Sequence, residues 1–261
     1  MYFKNPYNFE HNKDIIRLNK IMRNYGDSES LLYKYFKKET VICDNYGVNE
    51  GQLAFSHPEN FNDPFDCDFY SLDNECSKDM FRVLCLTPIY DNILMWSHYS
   101  EDHKGYCFGY SFFDLINSIL SLEYDGLCVI GFVSYKDDPP NFEQVGKYFS
   151  YTDLKSYIDA TFTKFVDWKY EQEFRFVIIL DDKSLDELKK DRDYVTIKND
   201  IRLKYKGVNS HLDCGYEKNH KGELDIINKN KEKIDKYTIN LIRDPSKYKL
   251  RVNQDRRDMN K

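Results

Sequence analysis

Apolar side chains along this chain recur in short runs bounded by Gly, Pro, Asn and Asp. Leu31 to Phe36 (LLYKYF), Gln52 to Ser56 (QLAFS), Phe81 to Thr87 (FRVLCLT), Tyr106 to Tyr110 (YCFGY), Leu127 to Tyr135 (LCVIGFVSY) and Phe174 to Leu180 (FRFVIIL) are rich in aromatic and β-branched residues. That composition and length predict strands, with the last run the most hydrophobic. Helical spacing predicts helices at Asp14–Arg23, from Ile93 through Trp96, at Asp114–Leu122, and at Leu154–Trp168 through Ile158, Phe162, Phe165 and Val166. Residues 181–193 are charged and read as exposed. Tyr194–Ile197 and Ile201–Tyr205 read as edge strands. Gly207 to Lys236 has little apolar content, Ile234–Ile242 and Lys249–Val252 predict a last helix or strand, and the terminal RRDMNK is expected to fray.

Runs of strands interspersed with short helices predict an α+β class of mostly antiparallel sheets with flanking helices. The organisation expected is a helical lead-in over 1–30, a core over 31–210 and a C-terminal extension over 211–261 packed on that core. With 22 Tyr and 18 Phe, the chain has the aromatic area to fill a core although only 41% of its residues are hydrophobic. A net charge of −6 with mixed signs argues against a protein that grips nucleic acid mainly through phosphates, and leaves a local basic groove open. Seven cysteines without a C-x-x-C spacing make a zinc ribbon an unfavourable reading. No apolar run approaches the ~20 residues of a membrane span. The N-terminus does not read as a signal peptide, so a reducing cytoplasm with free thiols is expected.

Four stretches could carry chemistry. Asn92 to Ser111 (NILMWSHYSEDHKGYCFGYS) joins an apolar anchor to Ser97, His98, Tyr99, Glu101, Asp102 and His103, then turns into a strand. It reads either as a packed corner or as the rim of a pocket. Ser97, His98 and Tyr99, with Cys85 or Cys107, also admit a hydrolase reading that spacing cannot test. The loop from His57 to Asp68 crowds Glu59, Asp63, Asp66 and Asp68 among prolines and asparagines. Such a loop is an Asx-turn structure, a hard-cation site, or a ligand wall with Asn62 as donor. Tyr170-Glu171-Gln172-Glu173 immediately precedes the Phe174–Leu180 strand. A carboxylate there could stabilise a developing oxocarbenium ion, or Glu173 could pair with Arg175 along one strand face. Lys164 and Trp168 read as sharing a helix face, a cation beside an aromatic ring or a lysine aimed at phosphate.

The ordered set LYKYF (32–36), AFSHPENFNDPFD (54–66), the strand ending CLT (85–87), NILMWSHYSEDHKGYCFGY (92–110) and KFVDWKYEQEFR (164–175) resembles domain-of-unknown-function family 2971, with Thr87 where relatives often carry Ser. That is a bacterial family, some members of which sit among anti-phage defence genes. More distantly the layout is similar to the ADP-ribosyltransferase-like fold, a split pair of small sheets binding NAD between them. That resemblance implies a first strand at Leu32–Phe36, a second at Leu53–Ser56 and an E-x-E at Glu171-Gln172-Glu173. The first strand offers Tyr33, Lys34 and Tyr35 in place of the usual His or Arg, so His98 would take that role. The implied catalytic residues are Glu173, Glu171 and His98. The implied ligand contacts are Tyr33, Lys34, Ser56, Asn62, Asp63, Trp96, Tyr99, His103, Lys164 and Arg175. The resulting expectation is a toxin-like or anti-phage effector that uses NAD or another nucleotide, without a metal, on a phage or host target. A metal-dependent nuclease or phosphohydrolase using Asp63, Asp66, Glu171, Glu173 and His98 is the first alternative. A non-enzymatic sensor of a small molecule or phage protein is the second.

Overall fold

The computed structural model describes residues 30–67, 77–122, 126–138, 151–180, 182–191, 194–207, 215–218, 224–227, 239–244 and 249–252. The expected Asp14–Arg23 helix, Asp68 and the terminal RRDMNK lie outside them. In chain order the elements are β1 (Leu31–Phe36), α1 (Lys38–Ile42), β2 (Gln52–Phe55), β3 (Phe81–Leu86), α2 (Ile93–Tyr99), β4 (Tyr106–Ser111), α3 (Phe112–Leu120) and β5 (Gly126–Phe132). They continue with β6 (Ser134–Lys136), α4 (Tyr151–Thr161), β7 (Thr163–Phe165), a 3-10 turn (Val166–Glu171), β8 (Phe174–Leu180), α5 (Asp182–Asp191), β9 (Val195–Lys198) and β10 (Ile201–Lys206). Last come β11 (Gly215–Lys218), β12 (Leu224–Ile227), β13 (Ile239–Asp244) and β14 (Lys249–Val252). The class is α+β, with several small and mostly antiparallel sheets. The elements form two compact units, one containing Leu53–Pro88 and Phe112–Lys198, the other Leu31–Gln52, Ile89–Ser111 and Asn199–Lys261.

In the first unit β8 is the central strand of an antiparallel sheet ordered β3-β8-β5. All of its residues are buried, which accounts for its continuous hydrophobic reading. Side chains alternate across the strand, so Glu173, Arg175, Val177 and Ile179 share one face and Phe174 and Phe176 the other. On the second face Phe174 and Phe176 pack with Phe112 of α3, and Phe132 meets Phe174 edge-on at 4.9 Å. On the first, Val177 and Ile179 join Phe81, Val83, Tyr157 and Ala160 in an apolar cluster under α4. Register places Arg175 between Cys85 of β3 and Gly131 of β5, the latter offering no side chain. The apolar face therefore turns polar at that end.

The second unit is built on a sheet ordered β1-β4-β10-β13-β14. One of its faces is aromatic. Tyr33 lies opposite Gly109 and Tyr35 opposite Cys107, with Tyr205 also opposite Cys107. A Cβ added at Gly109 would stand 2.8 Å from the Tyr33 ring, so the absence of a side chain there lets the ring lie across the strand. Tyr90 stacks on Tyr205 at 4.4 Å and 5°, and Trp96 of α2 meets Tyr35 edge-on at 5.2 Å.

Several sequence expectations shift. The Leu154–Trp168 helix stops at Thr161, after which the chain forms β7 and the 3-10 turn. The Leu127–Tyr135 strand breaks at Val133, whose N–H donates to the Glu173 carbonyl at 2.9 Å, and β6 then pairs in parallel with β7. The charged stretch 181–193 holds α5, with Ser184 and Leu188 buried. Ile201–Tyr205 is an interior strand between β4 and β13, and the polar 207–236 segment contains the β11–β12 hairpin. Ile239–Asp244 and Lys249–Val252 resolve the last pair as strands.

Candidate functional site

Five charged side chains meet inside the first unit. Arg175 is 0% exposed and Asp66, Lys164, Glu171 and Glu173 are all buried. Asp66 comes from the turn after a short 3-10 helix at Pro58–Asn60, Lys164 from β7, Glu171 from the end of the 3-10 turn, and Glu173 and Arg175 from the lead-in and body of β8.

Arg175 is the hub. Its Nε donates to Glu173 Oε1 and one Nη2 hydrogen to Glu173 Oε2, both at 2.9 Å. Nη2 also donates to Asp66 Oδ2 at 2.5 Å, and Nη1 to Asp66 Oδ1 at 2.8 Å. The remaining Nη1 hydrogen reaches the Thr161 carbonyl at 2.5 Å. Thr161 ends α4, where carbonyls lack intrahelical partners and a cation is favoured by the helix dipole. A guanidinium has five N–H donors, and these bonds engage each of them. The Cys67 thiol lies 3.5 Å from Nη1 as well.

Lys164 supplies the second cation. Its ammonium donates to Glu171 Oε2 at 2.7 Å and stands 3.4 Å from Asp66 Oδ2 and 3.6 Å from Glu173 Oε2. Three carboxylates thus converge on one nitrogen. The indole of Trp168 lies across the same ammonium, 4.7 Å from nitrogen to ring centroid. Backbone groups complete the frame: the Glu173 N–H donates to the Tyr135 hydroxyl at 2.9 Å, and the buried Thr87 hydroxyl donates to the Glu171 carbonyl at 2.7 Å. Gln172, between the two glutamates, adopts a left-handed conformation with φ 44°.

Burial alone would push the Glu173 carboxyl up, but the charges of Arg175 and Lys164 outweigh it and hold the group at about 2. Burial likewise disfavours the Arg175 cation, and Glu173 and Asp66 overcome it, leaving its pKa well above the ordinary arginine value. The Cys67 thiol is pushed well up, first by burial and then by Asp66, so it is held as a thiol.

The residues selected from sequence divide between the units. Lys164, Glu171, Glu173 and Arg175 assemble in this cluster, and the Glu173–Arg175 pairing along the strand is realised. Ser56 is half-buried and exchanges backbone bonds with Val83, at 2.8 and 2.9 Å. Asn62 is exposed. Asp63 is buried and accepts the Phe65 N–H on Oδ1 at 2.9 Å, an Asx turn that sets the loop. The other residues belong to the second unit. Trp96 is fully buried with its indole N–H on the Tyr90 carbonyl at 2.6 Å, and Tyr33 packs against the stacked pair of Tyr90 and Tyr205. Burial and then Cys107 push the Tyr33 hydroxyl up to about 12. His98 is exposed beside Tyr99, and Lys34, Tyr99 and His103 are half-buried. Glu101, Asp102 and His103 are all left-handed, with φ 52°, 51° and 67°. Their turn returns N–H donors from Asp102 and His103 to the Ser97 and Trp96 carbonyls at the end of α2.

Asp66 enters the cluster as a partner of Arg175 and Lys164, where sequence offered its loop as an Asx-turn structure, a hard-cation site or a ligand wall. Tyr135 was missed, because a tyrosine at a strand end carries no signal of what its hydroxyl will meet. Among the described residues no group of three or more His, Cys, Asp or Glu is arranged to hold a metal ion.

Residues 95–176 match the model of the family described as Protein of unknown function (DUF2971). The match runs from α2 into β8 and includes Lys164, Glu171, Glu173 and Arg175, while Asp66 lies before it. No curated protein and no solved structure matches the chain.

Proposed function

We propose that the protein is a toxin-like or anti-phage effector enzyme that uses NAD or a related nucleotide, with its chemistry on Glu171 and Glu173. The observation that carries this reading is the convergence of two separated polar stretches, FNDPFD through Asp66 and KFVDWKYEQEFR through Lys164, Glu171, Glu173 and Arg175, on one buried cluster. Glu173 is ionised and both its oxygens are held by Arg175, so its negative charge is fixed in direction. A fixed charge in a water-poor site stabilises positive charge that develops in a transition state without reorganising. In NAD hydrolysis the C–N bond to nicotinamide breaks as ribose C1 becomes oxocarbenium-like. Water then bonds to C1, a proton is released, and neutral nicotinamide and ADP-ribose leave; in transfer, an acceptor nucleophile replaces water. Glu171, paired with Lys164, is the group suited to orient a ribose hydroxyl.

The test is incubation with NAD and measurement of nicotinamide release. Release by the wild type and its loss in Glu173→Gln, with Glu171→Gln reduced, supports the assignment. Release that survives Glu173→Gln removes that residue from the mechanism, and an absence of release with any nicotinamide or adenine dinucleotide overturns the reading.

A further inference from the structure

We infer that Thr87 and Tyr135 are positioning residues for the proposed reaction, a role that rests on the enzymatic reading above. Their hydroxyls hold the peptide units on either side of Gln172 and so set the bend that carries both carboxylates to Lys164. Gln172 lies between Glu171, the last residue of the 3-10 turn, and Glu173, and its φ of 44° and ψ of 47° are left-handed. For a residue with a Cβ that conformation is unfavourable on its own. The Gln172 side chain is exposed, so the bend is held by groups from elsewhere in the unit.

The sheet ladder stops just short of this point. Leu86 of β3 and Phe132 of β5 both pair with Phe174, where β8 begins, and the residues just past each strand end take over. Thr87, buried directly after β3, donates its hydroxyl to the Glu171 carbonyl at 2.7 Å. The N–H of that same peptide unit, from Gln172, donates to the Lys169 carbonyl at 3.3 Å. On the other side of Gln172, the Glu173 N–H donates to the Tyr135 hydroxyl at 2.9 Å. Val133, two residues before Tyr135, donates its N–H to the Glu173 carbonyl at 2.9 Å, so the segment after β5 grips Glu173 at both backbone groups. Burial pushes the Tyr135 hydroxyl above its ordinary value, which keeps it a neutral acceptor. A residue's φ and ψ are the rotations that relate its two flanking peptide planes to its Cα. With both planes pinned, the bend cannot straighten without breaking one of these bonds. Glu171 Oε2 and Glu173 Oε2 are thereby kept 2.7 and 3.6 Å from the same ammonium.

Thr87→Val and Tyr135→Phe each remove one hydroxyl and nearly keep the side-chain shape. Each is expected to lower kcat for nicotinamide release on the order of tenfold to a hundredfold with KM little changed, since misplacement by about 1 Å is enough. Thr87→Ser, which keeps the hydroxyl, retains most of the rate. Loss of either hydroxyl releases the same bend, so the double variant is expected to be no slower than the slower single variant. A second readout needs no substrate. The Glu173 carboxyl, held at about 2 against burial by Arg175 and Lys164, is expected to titrate higher in Tyr135→Phe by carbon-13 NMR. Far-ultraviolet circular dichroism shows whether each variant is folded. Unchanged release in folded Thr87→Val and Tyr135→Phe, effects that multiply in the double variant, or an unmoved Glu173 titration overturns the positioning role and leaves the enzymatic reading standing. No release by the wild type, with the Glu173 titration raised in Tyr135→Phe, overturns the enzymatic reading and keeps the hold on the bend.

Discussion

The two units fill their interiors by opposite means. The first buries four charged side chains together with Arg175 at one end of an apolar sheet face. The second covers its sheet with Tyr33, Tyr35, Tyr90, Trp96 and Tyr205, whose polar tips reach nearby carbonyls such as Ile89 for Tyr35 and Tyr90 for Trp96. Buried ions cost several kcal/mol each in lost hydration, and that cost is offset only while every partner is present. Aromatic packing is graded, since a lost ring edge removes some contacts and leaves the rest. The charged arrangement is thus conditional as a whole, and it concentrates a strong, oriented field where the aromatic one does not. That difference is why the proposed chemistry is placed in the first unit, and why the tyrosine-rich face of the second reads as packing.

The comparison can be broken most easily at its hub. Arg175→Met leaves Glu173 and Asp66 buried without their main cation and is expected to cost about 3–5 kcal/mol in denaturant unfolding. A cost below about 1 kcal/mol would mean that the cluster does not organise the unit. Removing both carboxylates as well, in Arg175→Met with Asp66→Leu and Glu173→Leu, is expected to restore much of the loss, because no charge is then stranded.

Acid sharpens the contrast next. The Glu173 carboxyl is held below its ordinary value, so its contribution is fully present above pH 4.5 and is lost as pH falls through about 2. Stability of the wild type relative to Glu173→Gln should fall in that window with a slope approaching about 1.4 kcal/mol per pH unit. A flat difference between the two proteins would contradict the ionised, paired state. The smallest effect belongs to the aromatic unit: Gly109→Ala forces the Tyr33 ring to move and is expected to cost about 1–3 kcal/mol, with no dependence on pH between 2 and 5 beyond that of the wild type. A pH-dependent cost there would mean that the second unit, too, is held by ionised carboxylates.

Strands were the most legible part of the chain. Leu31–Phe36 and Phe174–Leu180 fall where their apolar runs placed them, since the second is buried through its length and every residue of the first is buried or half-buried. Phe162, Phe165 and Val166 misled because apolar residues three or four apart suit a helix, while here they serve a turn, a short strand and a 3-10 segment in succession. The cation–aromatic pair of Lys164 and Trp168 was nevertheless anticipated. The two side chains meet because the chain folds back after β7, and no shared helix face is involved. The Glu173–Arg175 pair was legible because strand alternation alone brings residues two apart to one side. Asp66 was not legible as their partner, for its place against Arg175 depends on a contact across 109 residues of chain. His98 was selected for its residue type, and its exposure on a helix end is decided by the burial of Trp96, which turns the opposite side inward.

Gln172 carries a consequence for pattern searching. Written as E-x-E, the motif treats its middle position as a spacer open to any residue. At φ 44° that position is selective: Gly or Asn enters at little cost, whereas Val or Ile would meet a steric penalty from its branched Cβ. Chains that share both glutamates but place a β-branched residue between them would not make the same bend. A search that weights the middle position by backbone compatibility would separate sequences able to bring both carboxylates to one ammonium from those that merely spell the motif.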